Sequence, residues 1–319
     1  MATTESRSAF DEVDSCLARW PHEYTTTRVE FLIASKDRPQ ELRNALRALL
    51  TFVKDVQHVR VTVLVSASND LFASAYERLR KSFAGFSYVE RAEHDYFENL
   101  QNAILHSPAT NFVIMSDDTV FFRPCDIRGF AALQNLLEHD VERTRVSVQL
   151  RVSSRDKRPP AIGHVLPTQG LPYSHVLNCT RGLWASFFSC CYDRQIDGAM
   201  FTRATLTKEL DSLKMYSVPT NPGELEGFWM TWAERATWTD LTIIPVDRVL
   251  MNAGLGLGTV RKERESLEKD LKANAMQREE AAKDMLNGCF HEAKTLDAYL
   301  KSDVTHDSFE LKRQCVSQN

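Results

Sequence analysis

The sequence predicts an α/β protein: a Rossmann-like, mostly parallel open sheet flanked by helices, with a helical C-terminal extension. Three observations carry this expectation. Short, nearly all-apolar runs recur through the first third of the chain, amphipathic stretches with helical spacing separate them, and polar turn segments stand at the junctions. A strand with one wet face alternates apolar and polar residues, whereas a strand covered on both faces must be apolar throughout. All-apolar runs alternating with helices therefore predict a parallel sheet covered on both sides.

Residues 1–27 are polar and weakly periodic, a leader with a short helix around Ala9 to Trp20. The run Val29-Glu30-Phe31-Leu32-Ile33-Ala34 is the first strand, and Lys36-Asp37-Arg38-Pro39 turns away from it. Pro39 opens a helix, where its missing N–H leaves no bond unmade, and Leu42, Ala45, Leu46, Leu49 and Leu50 follow at helical spacing. The unit then repeats. Val59 to Val65 is strand, Ser66-Ala67-Ser68-Asn69-Asp70 is turn, and Leu71 to Phe83 is helix. Phe86 to Glu90 is a third strand, Tyr96 to His106 a third helix, and Asn111-Phe112-Val113-Ile114-Met115 a fourth strand.

The middle is less regular. Arg145 to Val152 alternates as a strand, while Ser153 to Pro172, with four prolines and two glycines, reads as loop. Trp184 to Met200 has strand character, Glu224 to Ala236 is a helix opening after Asn221-Pro222, Leu241 to Pro245 is strand, and Val260 to Leu286 is a long charged helix. The expected organisation is a leader over 1–27, a main α/β domain over 28–250 with halves at 28–125 and 126–250, and a hinge or lid with a helical extension over 251–319.

Hydrophobic residues at 43% and charged residues at 26% of 319 are globular values. A net charge of -4 gives no electrostatic reason to expect nucleic acid or an anionic membrane as partner. The N-terminus lacks the apolar core of a signal peptide, and no stretch of about 18 apolar residues could span a bilayer. The expectation is a cytoplasmic protein whose seven cysteines are reduced and whose sequon Asn178-Cys179-Thr180 is unused.

In an open α/β sheet, ligands bind outside the carboxyl ends of the strands, so chemistry is sought after Ala34, Val65 and Met115. Ser116-Asp117-Asp118-Thr119 stands at the last of these. Two adjacent carboxylates are hard oxygen ligands suited to Mg2+ or Mn2+ that also bridges a diphosphate, and without a cation they repel each other. The bland reading is a polar turn that happens to hold two aspartates.

At these residues the sequence resembles family 2 glycosyltransferases of the GT-A fold. The strand Val29 to Ala34 followed by Ser35-Lys36-Asp37-Arg38-Pro39 looks like their opening, and Asp117-Asp118 like their DxD-type metal motif. The segments Ile196-Asp197-Gly198-Ala199-Met200-Phe201-Thr202-Arg203 and Asn221-Pro222-Gly223-Glu224-Leu225-Glu226-Gly227 resemble the acceptor-side motif and helix start of bacterial relatives. Ile244-Pro245-Val246-Asp247-Arg248-Val249 looks like the strand that follows. The resemblance runs in order over residues 29–290.

The resemblance implies transfer of a sugar from a nucleoside-diphosphate sugar to a carbohydrate or other hydroxyl acceptor, with inversion and with Mn2+ or Mg2+ as cofactor. Ser35, Lys36 and Arg38 would line the nucleotide pocket, Ser66 and Asn69 would lie near the base, and Asn99 would reach base or ribose. Asp117 would contact ribose or sugar, Asp118 the metal, and Asp197 the donor sugar or acceptor. Glu226 would be the general base, with Glu224 an alternative on composition. Ser116 departs from the pattern, standing where many relatives carry a further acid, and residues 153–180 have no counterpart.

Other features are read conservatively. Gly254-Leu255-Gly256-Leu257-Gly258 has the wrong spacing for dinucleotide binding and reads as a hinge or lid. Cys179, Cys190, Cys191 and His175 lack zinc-ligand spacing and read as core. Among Trp184, Phe187, Phe188, Trp229 and Trp232, one or two suit stacking on a sugar, with Trp229 closest in sequence to Glu226. The helix Val260 to Leu286, with opposite charges such as Glu265 and Lys269 four apart, reads as a solvated face. Two rival functions stay open: a nucleotidyltransferase, and a non-catalytic sugar- or nucleotide-binding protein.

Overall fold

The computed structural model describes residues 22–90, 95–138, 144–150, 164–166, 176–180, 196–214, 218–233, 240–245, 250–252, 264–293 and 311–315. The helix expected around Ala9 to Trp20, the glycine-rich segment 254–258, and His175, Trp184, Phe187, Phe188, Cys190 and Cys191 lie outside these residues, as do the side chains of Cys179, Trp229 and Trp232.

The first half follows the predicted alternation. It runs β1 (Val29–Lys36), α1 (Pro39–Phe52), β2 (Val59–Ser66), α2 (Asp70–Ser82), β3 (Ser87–Glu90), α3 (Tyr96–His106) and β4 (Asn111–Ser116). β1 lies parallel between β2 and β4, and β3 pairs parallel with β2. Both faces of β1, β2 and β4 are covered, which explains their largely apolar character, while β3 at the edge of the sheet keeps Ser87 and Glu90 exposed. Phe31, Ile33, Val113 and Met115 enter one core cluster with Leu42, Leu46 and Leu79, while Leu32, Ala34, Phe112 and Ile114 enter the other with Leu100, Ile104 and Leu210. Successive residues point to opposite sides of a strand, so each side of the sheet receives every second residue.

The second half holds β5 (Thr119–Phe121), α4 (Ile127–Leu137), β6 (Thr144–Gln149), β7 (His164–Leu166), β8 (Val176–Thr180), β9 (Ala199–Thr202), α5 (Arg203–Lys214), α6 (Pro222–Ala233), β10 (Asp240–Pro245), β11 (Leu250–Asn252), α7 (Arg264–Leu286), β12 (Cys289–Ala293) and β13 (Leu311–Cys315). The main sheet has nine strands in the order β3-β2-β1-β4-β9-β6-β10-β8-β7. β1 to β4, β6 and β10 run one way, and β9 runs against its neighbours β4 and β6. The protein is thus the expected α/β type, a mostly parallel sheet flanked by helices. The reversal at β9 begins at Gly198, whose φ of 75° is a left-handed conformation that glycine adopts without a Cβ clash.

Several expectations change. The region read as loop contains β7, an edge strand three residues long that pairs with β8. The C-terminal helix, expected to present a solvated face, also has a packed one: Ala281, Ala282, Asp284 and Met285 are buried, and the helix packs on α2 and α1. Ala282 and Met285 near its end enter the core cluster that holds Leu42, Leu46 and Leu79. The expectation of reduced cysteines is corrected at Cys289, which is disulfide-bonded. Cys289 stands opposite Cys315 in the antiparallel β12–β13 ladder, a proximity that residue spacing along the chain does not reveal. Cys125 is a free, buried thiol.

Candidate functional site

A cleft of about 650 Å³ opens at the carboxyl ends of β1 and β4, within the size range of small-molecule sites. Its first wall is the turn after β1. Asp37 adopts a φ of 56°, a left-handed conformation that aspartate tolerates better than most residues. Two contacts hold it there: Asp37 N–H donates to the Ser66 carbonyl at 3.2 Å, and Asp37 Oδ1 accepts from Ser68 N–H at 2.7 Å. Beneath this turn, the Tyr76 hydroxyl lies 2.6 Å from Ser35 Oγ and accepts from Arg38 N–H at 3.0 Å. The tyrosine is 2% exposed, so it fixes the floor of the turn without offering its hydroxyl to solvent.

The second wall is the acidic turn after β4. The Arg38 guanidinium reaches across from the first wall, with Nη1 3.4 Å from Asp117 Oδ1 and 3.1 Å from Asp118 Oδ2. Asp118 Oδ1 accepts from Ser116 Oγ at 2.6 Å. The β9 reversal then delivers Asp197 to the same turn. Its Oδ1 accepts from Ser116 N–H at 2.8 Å, and its Oδ2 accepts from Thr119 Oγ1 at 2.8 Å and from Ser116 Oγ at 3.1 Å. Asp197 therefore ties β9 to residues 116–119 and shapes the acidic turn from behind. Ser116 thus holds both carboxylates, its N–H on Asp197 and its hydroxyl on Asp118.

Asp117 is 3% exposed, and its Oδ2 has no hydrogen-bond partner among the described residues. Burial pushes its pKa from 3.8 up to about 8; Arg38 opposes this, while Asp118 and Glu41 add to it. Burial works against the Arg38 charge, but the facing carboxylates outweigh it and hold the guanidinium pKa above its ordinary value. Glu41, buried in the first turn of α1, is raised by burial, with Arg38 and Arg278 opposing. A native-state pKa above that of the unfolded chain means that Asp117 stabilises the fold when protonated. Its contribution is complete below 3.8 and is lost as pH rises through about 8. The ligand-free protein should therefore melt lower at about pH 9 than at about pH 6, and Asp117→Asn should flatten that difference. A melting-temperature profile with the same slope in the variant would contradict this assignment.

The third wall is the start of α6, where Thr220, Asn221, Pro222, Gly223 and Glu226 line the cleft. The two glutamates of this segment have different places. Asn221 Oδ1 accepts from Glu224 N–H at 3.0 Å, and Glu224 Oε2 accepts from both Thr220 N–H and Thr220 Oγ1 at 2.9 Å. This is a reciprocal helix cap. The hydrogen bond from the Thr220 backbone N–H holds the exposed Glu224 below the usual carboxylate range. Glu226, half-buried, faces the cleft.

The structure thus brings Ser35, Lys36, Arg38, Asp117, Asp118, Asp197 and Glu226 to one cleft. It does not bring Ser66, Asn69 or Asn99 to its lining. Ser66 is buried with its carbonyl holding Asp37, Asn69 caps α2 by accepting from Phe72 N–H at 3.1 Å, and Asn99 is half-buried on α3. Tyr96, Thr220 and Arg278 line the cleft without having been singled out in the sequence. Thr220 had a local signal, the Asn-Pro helix start beside it; Tyr96 and Arg278 had none. Among the described residues no group of three or more His, Cys, Asp or Glu side chains is placed to hold a metal ion.

No protein-family model matches the chain, and no curated protein matches it. Among solved structures, it is similar to S. aureus TarS, with a TM-score of 0.46 and 10% identity over 82% of this chain and 42% of that one. A second S. aureus TarS structure gives 0.43 and 11% identity over 69% and 58%. The mannosyltransferase PcManGT from Pyrobaculum calidifontis, in complex with GDP-Man and Mn2+, gives 0.41 and 16% identity over 88% and 73%. The chain spans less than half the length of the first of these.

Proposed function

We propose that this protein is a glycosyltransferase of the GT-A type, moving a sugar from a nucleoside-diphosphate sugar to a hydroxyl acceptor. The observation that carries this reading is the convergence of the Ser35–Arg38 turn, the Asp117–Asp118 turn and Glu226 on one cleft at the carboxyl ends of parallel strands. Cationic groups and carboxylates on separate walls suit a substrate with an anionic leaving group and an acceptor that must lose a proton.

In this reading the acceptor oxygen forms a bond to the anomeric carbon as the bond from that carbon to the diphosphate oxygen breaks. The bonding electrons leave with the nucleoside diphosphate, and the acceptor proton passes to the Glu226 carboxylate. A single displacement of this kind inverts the anomeric configuration. Lys36 and Arg38 bind and orient the donor's charged portion, while Asp197 keeps the acidic turn in place.

The residues fit a divalent cation brought in with the donor. The partnerless, buried Asp117 Oδ2 calls for either a hydroxyl donor or a cation, and Asp118 supplies a second hard carboxylate beside it. With two protein carboxylates in the turn, Asp118 would hold Mn2+ or Mg2+ together with phosphate oxygens, leaving Asp117 to the ribose or sugar. Such an ion, when bound, offsets charge on the departing diphosphate.

The test is a thermal-shift panel of UDP-, GDP-, CMP- and dTDP-sugars with and without Mn2+. At least one donor should raise the melting temperature, and the metal should enlarge the shift, because a ligand that binds only the native state stabilises it. If no nucleotide raises it in either condition, the donor-site reading fails.

A further inference from the structure

One wall of the cleft comes from neither the sheet nor α6. Arg278, on α7 of the C-terminal extension, lines it together with Lys36, Arg38, Asp117 and Asp118. The helix is anchored firmly enough to aim this side chain. Ala282 and Met285, just beyond Arg278, belong to the same core cluster as Leu42, Leu46 and Leu79, and the Arg78 guanidinium donates to the Leu286 carbonyl.

The two arginines of the cleft differ in their engagements. Arg38 is held by Asp117 and Asp118. Arg278 is half-buried and makes no hydrogen bond or ion pair among the described residues; its charge acts through space on the buried Glu41. A partly desolvated guanidinium whose donors are unengaged is a ready partner for an anion, and its planar fork matches phosphate oxygens in pairs. Lys36 lines the same cleft, so an anion bound there meets two cationic side chains besides Arg38.

We propose that Arg278 binds the diphosphate of the donor and of the nucleoside diphosphate product, so that the C-terminal helix completes the donor site. The proposal rests on the nucleotide-sugar reading of the cleft. It gives the extension a ligand-binding task in place of a merely solvated one.

The test is calorimetric titration of the full chain, wild type and with Arg278→Gln or Arg278→Lys, in the presence of Mn2+. The probes are UDP and GDP, the matching nucleosides, and inorganic pyrophosphate. Losing one charge-assisted contact should weaken diphosphate and pyrophosphate binding by about tenfold or more in Arg278→Gln. Nucleoside binding should stay unchanged, and Arg278→Lys should recover part of the loss. Unchanged diphosphate and pyrophosphate affinity in Arg278→Gln, or an equal loss for nucleoside and diphosphate, overturns the proposal. If the wild type binds neither nucleoside diphosphate, the donor reading fails separately, and pyrophosphate alone judges Arg278: a tenfold loss in Arg278→Gln supports an anion site, and no change overturns it.

Discussion

Replacing Glu226 by glutamine lowers turnover by about 10²- to 10⁴-fold while donor affinity stays within a factor of about two, because only proton acceptance is removed. Glutamine keeps the size and hydrogen-bonding reach of the side chain but cannot take the acceptor proton. Glu226 lies just past the first turn of α6, where the helix dipole favours the anion. Such a carboxylate is a modest base, so its contribution depends on placement, and its position in the cleft lining supplies that. Glu224→Gln is the paired control. Its carboxylate caps α6 through Thr220, so the expected result is a small loss of thermal stability with turnover largely kept. Steady-state kinetics of both variants against donor and acceptor decide the matter. Full activity in Glu226→Gln with loss in Glu224→Gln would assign the base to the other glutamate.

Replacing Asp118 by asparagine removes Mn2+-dependent stabilisation by nucleotide and lowers turnover by about 10²- to 10⁴-fold, the range expected when charge on a leaving diphosphate is no longer offset. Asparagine retains an oxygen for the Ser116 hydroxyl, so the turn itself should survive. It weakens the pairing with Arg38, which leaves that guanidinium to Asp117. Thermal shifts with nucleotide, with and without Mn2+, separate the metal effect from simple loss of fold. Equal Mn2+ shifts in variant and wild type, or full wild-type turnover in the presence of a chelator, would remove Asp118 from the metal role. The cations Lys36, Arg38 and Arg278 would then be the groups left in the cleft to meet the diphosphate.

β1, β2 and β4 were legible because they are buried almost throughout, whereas β3, with Ser87 and Glu90 exposed, was marked by its place in the alternation. Burial on both faces favours apolar residues along a strand and makes Val29 to Ala34 or Asn111 to Met115 stand out without reference to anything distant, Glu30 and Asn111 being the buried polar exceptions. The same local logic located Asp117 and Asp118, since the carboxyl end of a parallel strand is an open mouth wherever the next helix turns back. Short edge strands carry no such signature. β7, at the rim of the sheet, was therefore read as loop.

What the sequence determined by itself is the α/β alternation, the acidic turn after β4 and the pair of glutamates near the start of α6. Tertiary structure decided which of those groups meet. Antiparallel insertion of β9 beside β4 turned Asp197 onto Ser116 and Thr119. The path of α2 set the Tyr76 hydroxyl under Ser35 and Arg38, and docking of α7 brought Arg278 to the cleft. The β12–β13 ladder put Cys289 opposite Cys315. Each of these is a contact between residues far apart in the chain. Periodicity and turn chemistry act over a few residues, whereas such contacts follow from how whole elements pack, and no local pattern records that.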